Sequence, residues 1–129
     1  AVGDDIMDFA GGGINLAAPE AYAYGYDLMA RVIYAEARGE PYVGQVAVGA
    51  VIMNRLEHPL FPKTIPGVIF EPDAFTVVSN GDMWRYTPTS TAYRAAQDAL
   101  SGWDPAMATN WWVASRPVIA VIGRHIFTR

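Results

Sequence analysis

The sequence predicts an α+β domain, mainly helical, with one small antiparallel β element. Three observations predict it. Apolar residues recur at helical spacing in three segments, residues 27–38, 43–56 and 91–101. Five prolines between positions 59 and 88 (Pro59, Pro62, Pro66, Pro72, Pro88) forbid long regular elements in the middle of the chain. β-branched and aromatic residues gather around Asn80-Gly81 and again after Trp111, where short strands are expected.

The elements follow in order. Gly11-Gly12-Gly13 and Ala17-Ala18-Pro19 read as a linker or loosely docked tail over residues 1–23, with the organised domain at 24–129. The first helix, 27–38, carries Leu28, Met29, Val32 and Ile33 on one stripe and stops at Gly39, with Pro41 just beyond. The second, 43–56, is apolar nearly all round, which marks a central core helix. Its small residues Ala47, Gly49 and Ala50 permit close approach by the first helix. A short helix after Thr64 would use Val68, Ile69 and Phe70. Phe75-Thr-Val-Val, the Asn80-Gly81 turn and Met83-Trp84-Arg85 read as a β-hairpin. A third helix, 91–101, turns Tyr93, Ala96 and Leu100 inward and ends at Gly102. The tail from Trp111 to Phe127 reads as short strands.

A chain of 129 residues suits one domain with its own core. With 52% apolar and 17% charged residues the composition argues against disorder. A net charge of −4 argues against non-specific binding to nucleic acid or an anionic membrane. No run of about 18 apolar residues is present, so no membrane span is expected, and residues 1–16 lack the pattern of a signal peptide. There is no Cys, hence no disulfide and no thiolate nucleophile.

One acid stands out. Glu36 follows Met29 by seven residues, Val32 by four and Ile33 by three, so it lies on the apolar stripe of the first helix, while Arg31 and Arg38 share another face. Burial falls on the ionised form and raises a carboxyl pKa. An acid still protonated near neutral pH can protonate the leaving oxygen of a glycoside. The stripe alone leaves a second reading open, a glutamate at the stripe's edge bonded to a backbone amide or an arginine. Of the other twelve acids, eleven fall in the tail, at helix ends, in turns or beside prolines, and Asp98 is expected on a solvated face of the third helix. Glu40, set between Gly39 and Pro41, is a helix-terminus residue.

Other chemistries lack their residues. His58 and His125 are the only histidines and have no ligand spacing, so no metal is expected. There is no nucleophile-elbow Gly-x-Ser-x-Gly and no phosphate-cradling glycine loop, and no cofactor is expected. His125, in an apolar tail, reads as a hydrogen-bonded structural residue. Aromatics are plentiful: Trp84, Trp103, Trp111, Trp112, Tyr86, Tyr93 and Phe75. Most are expected in the core. Trp84 beside the turn and one of the Trp111-Trp112 pair are expected outside, where rings can stack on sugar faces.

Tyr34-Ala-Glu-Ala-Arg-Gly-Glu-Pro-Tyr-x-Gly-Gln-Val-Ala-Val-x-Ala-Val-Ile-x-Asn-Arg55 closely resembles the signature of the SleB-type spore cortex-lytic enzymes and related cell-wall hydrolases. Phe61-Pro-x-Thr-Ile-x-Gly-Val-Ile-Phe70, Ala74-Phe-Thr76, Ala99-Leu-x-Gly-Trp-Asp-Pro105, Ser115-Arg-Pro-Val-Ile119 and Ile122-Gly-x-His-Ile-Phe127 extend the resemblance over residues 26–127. It departs after Pro105, where the family carries a further Gly- and Tyr-rich stretch and this chain passes straight to Ala106, and it covers the catalytic part without the family's peptidoglycan-binding module.

The resemblance implies a lysozyme-like helical fold, secretion to the spore cortex or cell wall, and peptidoglycan glycan strands as the partner of a monomer. It implies cleavage of the β-1,4 bond between a muramic-type sugar and N-acetylglucosamine by a lytic route, on cortex containing muramic-δ-lactam during germination, with Glu36 as the single catalytic acid. Alternatives are a water-using muramidase of the vegetative wall, with Glu40 as second acid, and a glycan-binding module without activity. Glu40, Gln45 and Asn54 are the polar residues expected to share the groove with Glu36. Phe75, Thr76, Trp84 and Trp112 complete the expected substrate-binding set, and Arg38 is expected to turn away from Glu36.

Overall fold

The computed structural model describes residues 19–109, 118–122 and 124–128. Six helices and one strand pair follow in order: α1 (Pro19–Ala37), α2 (Tyr42–Glu57), α3 (Ile65–Ile69), α4 (Thr76–Ser79), α5 (Asp82–Arg85), α6 (Ser90–Leu100), β1 (Val118–Ile122) and β2 (His125–Thr128). The mainly helical α+β class agrees with the sequence. Trp111 and Trp112 lie outside the described residues.

Helix α1 starts earlier than its apolar stripe suggests. Pro19 suits a first helical position, where its missing N–H has no intrahelical partner to lose, and Glu20 complements the positive end of the helix dipole. The helix turns off at Gly39, in the left-handed region at φ +82°. Leu28, Met29, Val32 and Ile33 are all fully buried, as the periodicity requires.

Helix α2 runs through the middle of the molecule, buried from Val46 to Ile52 except for small openings. At Gly49 three elements meet: a Cβ there would stand 2.8 Å from the Ala99 Cβ of α6, 3.0 Å from Ile33 Cδ1 and 3.5 Å from Met29 Cε. Only a residue without a side chain lets α1 and α6 pack this closely on both sides of α2. Two tyrosines fasten α6 at its two ends. The Tyr93 hydroxyl donates to Asp27 of α1 (2.6 Å), and the Tyr42 hydroxyl of α2 donates to Asp98 (2.6 Å). Desolvation and then the Asp98 carboxylate push the Tyr42 pKa up to about 12, so this bond keeps its proton across the physiological range.

Two helices, α3 and α6, are capped by a threonine side chain. Thr64 accepts from Gly67 N (3.0 Å) to start α3, and Thr89 accepts from Ala92 N (3.2 Å) to start α6. Val68 and Ile69 of α3 are buried, while Phe70, at the C-cap of the same short helix, is exposed.

The expected hairpin over 75–85 is not formed; two one-turn helices stand there. Asn80 and Gly81 do make a turn, with Gly81 at φ +83°, but its arms are α4 and α5. The Asn80 side chain accepts the Asp82 N–H (2.8 Å), a local bond that starts α5 and replaces strand pairing. The antiparallel element lies at the C-terminal end instead. There β1 and β2 pair in register Ala120↔Phe127, Val121↔Ile126 and Ile122↔His125, with an irregularity between Val118 and Ala120. Phe127 is fully buried, and Ile122 Cγ2 sits 3.1 Å from where a Gly44 Cβ would be, so the pair docks on the start of α2. Among the described residues, no helix is long and apolar enough to cross a membrane.

Candidate active site

Glu36 stands on the last turn of α1, half-buried. Loss of hydration raises its pKa above the ordinary glutamate value; the Val77 backbone amide bonds the carboxylate and pulls the other way; the negative charge of Asp82 adds to the rise. The net direction is upward because burial outweighs a single amide. The Val77 N–H is free to do this because α4 is only one turn long and an amide in a first turn has no helical acceptor. The short helix that replaced the expected strand thus supplies a hydrogen bond to the acid.

Helix α5 forms the rest of this wall. Arg85 Nη1 pairs with Asp82 Oδ1 (2.9 Å). Tyr86 lies edge-on to Tyr34, ring centroids 6.1 Å apart, and the Arg38 guanidinium covers its ring at 4.0 Å. The hydrogen bond and charge of Arg38 hold the Tyr86 phenol below the ordinary tyrosine range. Arg38 is not among the groups that shift Glu36, although it lies over Tyr86 and feels the charge of Asp82 on the same wall. Trp84 is 54% exposed and lies nearly parallel to Phe70 (12°, centroids 6.4 Å apart), with Arg31 over the indole at 5.3 Å. Arg31 is itself fixed by Asp27 (3.0 Å).

The other expected site residues part company. Thr76 is exposed at the start of α4, next to Val77 and on the wall. Trp84 is on the wall too. Glu40 is turned the opposite way, into the β-hairpin: its Oε1 accepts from Arg124 Nε (2.7 Å) and its Oε2 from Arg124 N (3.0 Å). The carboxylate is closed off beneath an Arg124 side chain that is itself 83% exposed. The Arg124 bonds come first among the causes that depress its pKa, and they make it a standing anion. Gln45 gives its amide to the Glu40 carbonyl (3.2 Å), which satisfies the chain at the start of α2. Asn54 donates to Asp104 (2.8 Å) and to the Ala108 carbonyl (2.7 Å), pinning the loop after α6. It lines a cavity of about 270 Å³ with Met53, Glu57, Leu100 and Trp103, whose lining does not include Glu36. Phe75 is core, 2% exposed, beneath the Arg55 guanidinium at 5.1 Å. Trp112 lies outside the described residues.

Three contributors escaped the sequence reading: Asp82, read as a turn residue, Tyr86, and the Val77 amide. Asp82 and Arg85 at i, i+3 spacing were a signal of a helical turn. Nothing local announces that this turn stands against Glu36.

With this geometry in hand, the comparisons with known proteins identify the class. Residues 39–128 match the cell wall hydrolase family, and the chain belongs to that family. The match begins just past Glu36. The chain is 48% identical over 130 residues to a spore cortex-lytic enzyme of Oceanobacillus iheyensis, covering 92% of this chain and 47% of that one. It is 56% identical over 110 residues to a spore cortex-lytic enzyme of Halalkalibacterium halodurans, covering 78% of this chain and 33% of that one. The chain thus spans about half, or less, of the length of these relatives. Among solved structures it is similar to the catalytic domain of the Bacillus cereus SleB protein, at TM-score 0.74 and 47% identity, covering 81% of this chain and 89% of that one. The catalytic domain of the germination-specific lytic transglycosylase SleB from Bacillus anthracis matches with the same score and identity, over 81% and 93%.

Proposed function

We propose that this chain is the catalytic part of a spore cortex-lytic enzyme, cleaving the β-1,4 bond between a muramic-type sugar and N-acetylglucosamine in peptidoglycan, with Glu36 as its acid. The observation that carries the reading is a carboxyl withdrawn from water and set beside a second negative charge, which keeps its proton at a pH where surface glutamates have lost theirs. The names of the relatives support the substrate class and its setting in germination.

The route is lytic. Glu36 donates its proton to the glycosidic oxygen as the bond to the muramoyl C1 breaks through an oxocarbenium-like state. The resulting carboxylate takes the proton of the muramoyl C6 hydroxyl, whose oxygen bonds to C1 and closes a 1,6-anhydro ring. The acid is regenerated, and no water enters. A water-using muramidase needs a second carboxylate to activate the nucleophile. Glu40, the candidate for that role, has both oxygens committed to Arg124, which favours the lytic route over the hydrolytic one. Trp84 and Thr76 are the substrate-contacting residues on this reading, since they share the α4–α5 wall with the partners of Glu36.

Mass spectrometry of digested cortex peptidoglycan tests both parts. Anhydro-muramic ends are expected, about 18 Da lighter than hydrolysed ends, the mass of the water the route does not use. Incorporation of ¹⁸O from labelled water into reducing ends, abolished by Glu40→Gln, would instead establish a hydrolase.

A further inference from the structure

The proposed chemistry leaves the β-hairpin unused, yet one of its side chains reaches the catalytic turn. His125 opens β2 and is 11% exposed. Its Nδ1 is shielded from solvent and has no hydrogen-bond partner; Glu40 Oε1, at 3.9 Å, is too far for one. The ring's hydrogen bond goes to the Glu36 backbone carbonyl, and with Nδ1 unpartnered the donor is Nε2. A neutral imidazole has one donor and one acceptor nitrogen. With its donor given to Glu36, His125 offers Glu40 only a lone pair, and two acceptors cannot bond. That accounts for the orphaned nitrogen.

The carbonyl it meets is one that the helix leaves open. In a continuing α1 the Glu40 amide would bond the Glu36 carbonyl, but that amide bonds the Ala37 carbonyl instead (3.0 Å), because the chain turns off at Gly39. The hairpin that carries His125 is seated by the two Arg124 bonds to Glu40, on the same turn.

We propose that His125 is a positioning residue for Glu36: from the hairpin it caps the carbonyl of the residue whose side chain delivers the proton, and the Glu40–Arg124 pair keeps the hairpin in place to do so. This inference rests on the reading of Glu36 as the proton donor. Proton delivery is sensitive to placement, and a shift of about 1 Å can cost roughly 10²-fold in rate.

Two near-isosteres separate the roles of the two ring nitrogens. In His125→Gln the amide nitrogen takes the place of Nε2 and can still donate to the Glu36 carbonyl. In His125→Asn the amide sits where Nδ1 was, facing Glu40, and cannot reach Glu36. Both are polar and suited to the same pocket, so both variants are expected to fold, with melting curves as the check. On cortex peptidoglycan, His125→Gln should keep kcat within about threefold, while His125→Asn should lose about 10- to 100-fold in kcat with KM within about threefold. Equal kcat in the two variants, or a loss confined to KM or to thermal stability, would overturn the positioning role. Glu36→Gln in the same assay separates the two levels. If it retains activity, the reading of Glu36 fails and the inference with it. If it is inactive while His125→Asn matches His125→Gln, the role of His125 alone fails.

Discussion

Glu36 and Glu40 are the same side chain four residues apart, and the molecule treats them oppositely. Glu36 faces the α4–α5 wall, where burial and the Asp82 charge favour the neutral acid. Glu40 faces the hairpin, where two bonds from Arg124 favour the anion. The turn at Gly39 sends the two down different sides of the α1–α2 junction. Role here is set by what surrounds a carboxyl, and sequence spacing alone would have made the two a pair.

The contrast can be broken most sharply at Glu36. Glu36→Gln should leave the far-UV circular dichroism unchanged and cut turnover by about 10³-fold or more, since positioned proton transfer alone is typically worth 10²–10⁴. Glu40→Gln should change turnover by less than about tenfold, because it touches no reacting atom, while lowering the melting temperature. A Glu40→Gln protein as inactive as Glu36→Gln would make the two glutamates partners after all.

A smaller effect sharpens the wall. Trp84→Ala should raise KM about two- to tenfold with little change in kcat, corresponding to the ~0.5–1.5 kcal/mol that an aromatic contact adds beyond burial. Asn54→Ala should do the reverse, costing about 1–3 kcal/mol of stability by releasing the loop at Asp104 and Ala108 and leaving KM where it was. Titration of substrate against each variant distinguishes the two.

The pH dependence supplies the subtlest tests. A folded-state pKa above the unfolded value, as for Glu36, gives stability that is complete below the unfolded value and lost as pH rises through the folded one. For Glu40, depressed on folding, the contribution is present above the unfolded value and lost as pH falls through the folded one. Denaturant titrations should therefore find Glu36→Gln more stable than the parent at neutral pH, and Glu40→Gln less stable there, the latter deficit closing in acid. Asp82→Asn, which removes the charge that raises Glu36, should move the alkaline limb of the pH–rate profile to lower pH. A profile unmoved by Asp82→Asn would show that its charge is screened from the acid.

The three long helices were legible because each carries its apolar stripe within its own sequence: Leu28 to Ile33, Val46 to Ile52, and Ala92 to Ala99. The short pieces were not. Val77 and Val78 have strand-forming side chains and Asn80-Gly81 is a hairpin turn, yet Thr76–Ser79 coils once, closes on Asn80 through the Thr76 carbonyl (2.9 Å), and leaves the Val77 amide to a residue 41 positions earlier. Glu36 was readable because its own helix supplied the surrounding apolar stripe. Gln45 and Asn54 are bonded to groups that turns and loops put in place, the Glu40 carbonyl, Asp104 and the Ala108 carbonyl, and Phe75 is buried beneath Arg55 of α2, none of which the local sequence announces. A polar residue in an apolar helix signals that a partner exists; it does not say whether the partner is a substrate or a backbone.

The bond between Glu40 and Arg124 spans 84 positions, and that distance orders events in time. Bringing ends so far apart together carries an entropic cost of about 4 kcal/mol before any contact offsets it. The α1–α2 and Asn80–Asp82 contacts are local and can form early; the hairpin must wait for the helical bed that receives Phe127 and Ile122. A chain at that stage holds its helices and an acid whose backbone carbonyl is uncapped. On this reading shape precedes competence, with the closure that tightens the catalytic turn expected after the helices have formed, an order that folding kinetics followed at the hairpin and at α1 would check.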